Sequence, residues 1–392
     1  MKLSRRDWIL LPLLSLMTIA IMLGSTEIIG RKVFRESKNT LNSCLVLTDS
    51  STGVRGVPNS SCWEKIPENE PMEYKFDCNG FRSDLPCGKK DPNSYRIVMT
   101  GSSIALGERV PNDKAFASLL PRELTDLDGR KVELYNEGMG FGFARNIELR
   151  FPAVLAAKPD LILWILTPLD IKLADYSYAE NPFQKAIDAT TATPGLMGII
   201  KTFVHAHGGN PLRGTAMTLR HLIYAHASQD RYIQVYLSVP DGGSGFFDTG
   251  AGYLKHDLPA NWKGYLNKFD RYAAVVEGQA KAAGIPLVAL MIPARPQVAM
   301  ISSGEYPPGY DPYIIDREAR KIMESHGATY LSILPDFEKL PNAERYYYAI
   351  DGHPDPEGHA VLAEFIAKEM GNGAIPQLRA SGRSQLALAG GR

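Results

Sequence analysis

Past Cys87 this chain contains no cysteine: Cys44, Cys62, Cys78 and Cys87 are the whole complement, gathered near the front. No close Cys-x-x-Cys pair occurs among them, which argues against a structural zinc site. Net charge is missing too. The 43 Lys and Arg balance 43 Asp and Glu, for a formal +0, so there is no basic excess of the kind that marks nucleic-acid binding. No Gly-x-x-x-x-Gly-Lys occurs, and no complete Gly-x-Gly-x-x-Gly follows a strand-like run. Those absences remove the usual phosphate cradles of P-loop and dinucleotide enzymes. Gly138, Gly140 and Gly142 come nearest, at the wrong spacing.

What is present begins with an anchor. Lys2, Arg5 and Arg6 precede an apolar run from Trp8 to Gly24, which Ile28 and Ile29 extend. Basic residues ahead of such a run read as a signal peptide or signal anchor. Its length is near the lower limit of about 17 residues for a spanning helix. No small-x-small cleavage site follows; Ser25-Thr26-Glu27 and then Arg31-Lys32 come instead. The reading is an uncleaved transmembrane signal anchor over residues 8–30, with residues 1–7 in the cytoplasm. The clustered cysteines agree with export. In an oxidising compartment Cys44, Cys62, Cys78 and Cys87 would staple residues 31–94, a loop-rich lead-in with little core of its own. Four cysteines allow three pairings, and sequence does not choose among them. The expected location is the cell inner membrane, single-pass, with the body in the periplasm or cell exterior.

Residues 96–100, 131–136, 161–166, 287–292 and 329–334 read as strands. Residues 116–125, 144–157, 268–283, 317–326 and 360–370 read as helices. Such alternation predicts an α/β fold, a doubly wound five-stranded parallel sheet, over residues 95–371. The run 161–166 is apolar throughout, as expected of a central strand buried on both faces. Residues 171–262 break the rhythm with a helical stretch at 212–227, a strand-like one at 232–239 and a Gly-rich loop at 241–247. An insertion after the third strand emerges at the carboxyl edge of the sheet. It is placed to be a lid or substrate wall, or else a structural elaboration or interface. Its His205 and His207 read as surface residues. Residues 372–392 have little apolar pattern and are expected to be a disordered tail.

Two stretches carry chemistry. In Arg96-Ile97-Val98-Met99-Thr100-Gly101-Ser102-Ser103 a strand rises into Gly-Ser-Ser and turns toward a helix, which sets a hydroxyl at the sheet's carboxyl edge. Far along the chain, Asp351-Gly352-His353-Pro354 offers a carboxylate and an imidazole in one turn before the last helix. A serine nucleophile needs a base, and the base needs an orienting group. Arg295, directly after the fourth strand, should also lie near the active edge. It is placed to clamp a carboxylate or sugar hydroxyl, or to bridge to the insertion. Arg82, in Asn79-Gly80-Phe81-Arg82, reads as solvent-facing by default.

Together these stretches resemble the SGNH (GDSL-type) hydrolase superfamily, of the membrane-anchored type associated with bacterial surface polysaccharide. Gly101-Ser102-Ser103 with Gly107 looks like its first block, and Tyr135-Asn136-Glu137-Gly138-Met139-Gly140-Phe141-Gly142 like its second. Residues 161–170 stand where the third belongs, and Asp351 and His353 look like the last. The resemblance implies that Ser103 attacks an ester carbonyl, His353 takes its proton and Asp351 orients the imidazole. It implies an oxyanion site from the N–H groups of Ser103 and a second-block glycine, with Gly140 favoured and Gly138 or Gly142 open. It requires no cofactor and no metal, and it points to an acylated glycan or small ester as substrate, cleaved or transferred. Three positions depart from the pattern. Ser102 replaces the usual Asp, the Asp–His spacing is one residue shorter, and Leu169 stands where the oxyanion Asn is expected. The shorter spacing is compatible with the same turn, while Leu169 and Ser102 favour an alternative, a catalytically attenuated glycan-binding or assembly component on the same scaffold.

Overall fold

The computed structural model describes residues 7–34, 41–47, 49, 51, 53–85, 90–126, 130–178, 212–238 and 250–380. Helix α1 (Asp7–Val33) comes first. Its large apolar side chains are exposed all round, and an 18-residue stretch within Trp8–Val33 has a mean hydropathy of 2.0. By length and composition it is apolar enough to cross a membrane.

The lead-in is built from two antiparallel pairs, β1 (Leu45–Val46) with β2 (Arg55–Gly56) and β3 (Ser61–Glu64) with β4 (Met72–Lys75). A Cys44–Cys62 disulfide clips the first pair to the second. Cys78 is disulfide-bonded as well; Cys87 lies outside the described residues. Leu41, Val54, Tyr74 and Phe76 bury themselves with Leu106 and Met139 of the main domain. The lead-in is thereby packed onto the loops that surround the candidate nucleophile.

The main domain holds the remaining strands: β5 (Ser94–Gly101), β6 (Leu124–Asp126), β7 (Lys131–Asn136), β8 (Leu161–Leu166), β9 (Leu287–Met291), β10 (Thr329–Leu331) and β11 (Leu378–Ala380). Five of them form one parallel sheet in the order β10-β9-β8-β5-β7. The chain leaves β5 for β7 on one side and then crosses to β8 on the other. The sheet's switch point, where such folds open a ligand crevice, therefore lies between β5 and β8.

Ten further helices surround it: α2 (Ser103–Leu106), α3 (Phe116–Glu123), α4 (Ala144–Ala156), α5 (Pro168–Lys172), α6 (Arg213–His226), α7 (Gln229–Leu237), α8 (Ala260–Ala282), α9 (Arg295–Ser303), α10 (Ile314–His326) and α11 (Pro356–Met370), counted among the described residues. Alternation along β8 explains the layers. Ile162, Trp164 and Leu166 face a core shared with α4, α8 and α10, while Leu161, Leu163 and Ile165 face one shared with α3 and α11. A strand covered on both faces reads as continuously apolar for that reason.

Three sequence expectations change. Residues 232–239 were expected as a strand, yet residues 229–237 form α7: Ser228 caps it by accepting the Arg231 N–H, and Tyr232 and Ile233 are buried together. Adjacent buried positions suit a helix flank packed on a core, and tertiary contact overrides the β-propensity of the run. Residues 372–380 are ordered where a disordered tail is expected, because β11 pairs antiparallel with β6 and buries Leu378; residues 381–392 lie outside the described set. The fifth strand stops at Leu331, and a 3₁₀ turn follows over Leu334–Lys339. The Gly-rich loop at 241–247, with His205 and His207, lies outside the described residues.

Candidate active site

Gly101 ends β5 at φ 150°, and a Cβ there would lie 2.6 Å from the Ile165 carbonyl oxygen. A glycine is needed for β5 to pass so close to β8 and turn at once into α2. That turn sets Ser102 and Ser103 side by side with opposite roles. Ser102 is buried and donates to Asp170 Oδ2 at 3.0 Å. Ser103 instead lies against the distant histidine, with Oγ 2.8 Å from His353 Nε2. His353 Nδ1 is 2.5 Å from Asp351 Oδ1, which also accepts the His353 backbone N–H at 3.3 Å. The structure thus brings Ser103, His353 and Asp351 into one hydrogen-bonded chain across 250 residues of sequence.

The His353 turn is tightly framed. Gly352 sits at φ 87°, and the Tyr348 N–H donates to the His353 carbonyl at 2.9 Å. Asp355, not Asp351, caps α11 by accepting the Gly358 N–H at 2.8 Å. That leaves both Asp351 oxygens for the site. Glu68 accepts the Ile350 and Asp351 N–H groups at 2.8 and 3.0 Å. Arg109 Nε donates to Asp351 Oδ2 at 3.1 Å and its guanidinium pairs with buried Glu64. Tyr74 and Tyr348 hold the Arg109 backbone through its N–H and carbonyl.

Electrostatics follow from this packing. Burial would push the His353 pKa down, but the Asp351 charge and hydrogen bond, with Glu108 behind them, hold it above the ordinary value. Burial would raise the Asp351 carboxyl, yet His353 and Arg109 outweigh it and keep Asp351 ionised well below the usual carboxylate range. Burial pushes Asp170 up to about 7, against hydrogen bonds from Thr167 and Ser102. Glu108 is also pushed up by burial. It accepts no hydrogen bond among the described residues, and its carboxylate stands over Gly140, where an added Cβ would come within 2.3 Å of Oε1.

The three second-block glycines now separate. The Gly138 N–H donates to Asn136 Oδ1 at 2.9 Å, and the Gly142 N–H to the Met139 carbonyl at 2.8 Å. The Gly140 and Ser103 N–H groups donate to no acceptor among the described residues. Gly138 is a spacer: a Cβ there would meet the Leu106 nitrogen at 2.5 Å. The loop itself is held by a buried pair, Arg150 Nη2 to Glu137 Oε2 at 2.6 Å, with Thr100 Oγ1 also donating to that oxygen at 2.7 Å.

Other singled-out residues fall elsewhere. Arg295 was placed near the active edge as a clamp or a bridge. Its Nε, Nη1 and Nη2 donate to the carbonyls of Glu344, Ala349 and Tyr224 at 2.9, 3.0 and 2.5 Å. With all three nitrogens engaged it bridges the turn that carries Asp351 and His353 to α6 of the insertion. Arg82 does not face solvent: it is buried on Tyr74 and donates to the carbonyls of Leu106, Gly107 and Val110. Leu169 packs into a cluster with Phe143, Leu173 and Tyr176. Arg109, Glu64, Glu68, Glu108 and Asp170 were not singled out from sequence. The Glu108-Arg109 pair directly after Gly107 was the one available signal, a charged pair beside the nucleophile turn.

No protein-family model matches the chain, nor does any curated protein. Solved structures similar to it include LAE5, an alpha/beta hydrolase enzyme from the metagenome of Lake Arreo, at 12% identity and TM-score 0.38, covering 71% of this chain and 95% of that one. A catalytic mutant of Axe2, an acetylxylan esterase from Geobacillus stearothermophilus, matches at 14% identity and TM-score 0.36, covering 71% and 94%. A member of the lipolytic protein G-D-S-L family from Veillonella parvula matches at 8% identity and TM-score 0.33, covering 69% and 94%.

Proposed function

We propose that this chain is a membrane-anchored, extracytoplasmic serine esterase or O-acyltransferase of SGNH type, acting on acyl esters of a cell-surface or exported glycan. The observation that carries the reading is the Ser103–His353–Asp351 chain at 2.8 and 2.5 Å. Ser103 Oγ attacks the ester carbonyl while His353 Nε2 accepts its proton. Asp351, fixed by Arg109, stabilises the resulting imidazolium. The Ser103 and Gly140 N–H groups receive the tetrahedral oxyanion, each donor being worth roughly 3–4 kcal/mol of barrier. Collapse of that intermediate breaks the C–O bond, and His353 returns the proton to the departing alcohol. Water or a sugar hydroxyl, deprotonated by the same imidazole, then takes the acyl group from Ser103.

The compartment and the glycan rest on other supports. The Cys44–Cys62 disulfide fits an oxidising compartment, and α1 fits an anchor. The glycan rests on the family resemblance. A second reading, a glycan-binding component with attenuated turnover, is favoured by one observation: Leu169 packs into an apolar cluster and supplies no third oxyanion donor. Incubating the detergent-solubilised chain with p-nitrophenyl acetate separates the two. Turnover that disappears in Ser103→Ala supports the esterase, and a folded chain with no turnover above the Ser103→Ala background supports the binding component.

A further inference from the structure

Directly after the nucleophile turn the chain places a carboxyl group that the triad does not use. The Glu108 N–H donates to the Ser103 carbonyl at 3.0 Å and closes the turn around α2. Its side chain reaches across to the loop that carries Gly140. A Cβ added at Gly140 would lie 2.3 Å from Glu108 Oε1 and 3.6 Å from the carboxyl carbon. Those distances differ by about the length of a C–O bond, so Oε1 is the atom that points at the Gly140 backbone. Apart from the neighbours of Gly140 in the chain, no other atom of the described residues comes within 4 Å of that position. Oε1 therefore enters otherwise open space over the residue whose N–H is a proposed oxyanion donor.

The charges around Glu108 are balanced without it. Arg109 Nη2 lies 3.6 Å from Glu108 Oε2, but the same guanidinium pairs through Nε with Asp351 and through Nη1 with Glu64. Arg82, the other cation at hand, donates to the carbonyls of Leu106, Gly107 and Val110 and lies over Tyr74. Tyr74 is a neutral phenol that donates to Glu64, and residues 138–142 include no charged side chain. Two guanidinium groups thus face the two carboxylates of Asp351 and Glu64. An ionised Glu108, its side chain 10% exposed, would be a third carboxylate with no cation to itself, which burial disfavours. Burial accordingly raises its pKa, and Asp351 adds to that rise against the opposing pull of His353 and Arg82. Asp351 remains the main support of the raised His353 pKa when Glu108 is neutral.

The two carboxyl oxygens have different surroundings. Oε2, on the Arg109 side, suits the carbonyl oxygen of the acid, and Oε1, over Gly140, suits the hydroxyl. We propose that Glu108 is a further catalytic residue, a neutral carboxylic acid whose Oε1–H donates to the oxyanion beside the Ser103 and Gly140 N–H groups. The assignment rests on the esterase reading and supplies the third donor that Leu169 does not. As Ser103 attacks, the ester C=O becomes a C–O⁻ single bond, and the hydrogen bond from Glu108 strengthens as charge gathers on that oxygen. Glu108 keeps its proton throughout, and the C=O reforms when the intermediate collapses. A carboxylic acid held neutral by an enclosed site can serve as an oxyanion donor in this way.

Turnover of p-nitrophenyl acetate by the detergent-solubilised chain tests it. Glu108→Leu should lower kcat on the order of 10²-fold, as loss of one oxyanion donor does, with KM little changed. Glu108→Gln keeps an N–H donor at the same reach and should lower kcat only severalfold. The parent's kcat should fall on the alkaline side as Glu108 loses its proton, and Glu108→Gln should lack that fall. With an active parent, three results overturn the proposal: a folded Leu variant as fast as the parent, a Gln variant as slow as the Leu variant, or the same alkaline fall in parent and Gln variant. Infrared difference spectra of parent against Glu108→Gln read the protonation without turnover. A protonated-carboxyl C=O band that the Gln variant lacks is expected near pH 7, and its absence overturns the proposal whatever the activity. A folded parent that hydrolyses no ester sinks the esterase reading, and this proposal with it.

Discussion

Arg150→Met tests how the loop that carries Gly140, the proposed oxyanion donor, is held. Arg150 is buried, with Nη2 2.6 Å from Glu137 Oε2 and 3.0 Å from the Glu137 carbonyl, and Nη1 on the Val54 carbonyl at 2.5 Å. Methionine fills similar volume but leaves Glu137 in a dry site with the Thr100 hydroxyl as its remaining side-chain donor. Removing one partner of a buried pair costs about 3–5 kcal/mol. For a domain of this size that is a Tm loss of about 6–20 °C. The sign with pH follows from Glu137, whose pKa burial already raises against the opposing pull of Arg150. Without Arg150 the carboxyl rises further, so its penalty grows as pH rises through that pKa and fades as Glu137 takes up a proton. Thermal unfolding of the detergent-solubilised variant should show a larger deficit near pH 8 than near pH 5. A deficit under about 1 kcal/mol, or one equal at both pH values, refutes the reasoning. Turnover should fall too, because the loop that presents the Gly140 N–H is anchored at Glu137.

Three further outcomes are expected. Asp351→Asn should lower kcat on the order of 10⁴-fold. The raised His353 pKa places the acid limb of kcat/KM above the ordinary histidine value, and removing its main support should move that limb to lower pH, read from a pH–rate profile. Ser102→Ala removes one hydrogen bond to Asp170 and should cost about 1 kcal/mol in unfolding while activity persists. Asp170→Asn should raise Tm more near pH 8 than near pH 5, since the cost of ionising a buried carboxyl accrues as pH rises through its folded pKa of about 7.

The fold was legible where side-chain period and flanking turns agreed. The run at β8 has no polar residue, so its bounds and its central place could be read from the sequence. The α7 segment failed that test, because Tyr232, Ile233 and Val235 carry strand propensity while the Ser228 cap and the buried Tyr232–Ile233 flank make it a helix. The triad was legible because Ser103 and the Asp351–His353 turn each carry local turn chemistry. Their supports were not. Arg109 meets Asp351 across 242 residues, and Asp170 meets Ser102 across 68, with no local pattern to announce either. Glycine roles needed the structure as well, since Gly138, Gly140 and Gly142 look alike in sequence and separate by their N–H partners and by what an added Cβ would meet.

Covalent labelling with a fluorophosphonate probe, followed by mass spectrometry of the labelled peptide, tests the central claim most directly. The two adjacent serines make the outcome specific. Label should sit on Ser103, persist in Ser102→Ala, and be lost in Ser103→Ala and in His353→Ala. An unassisted hydroxyl at neutral pH is too weak a nucleophile to react. Label on Ser102, or none on the folded parent chain, would contradict the account.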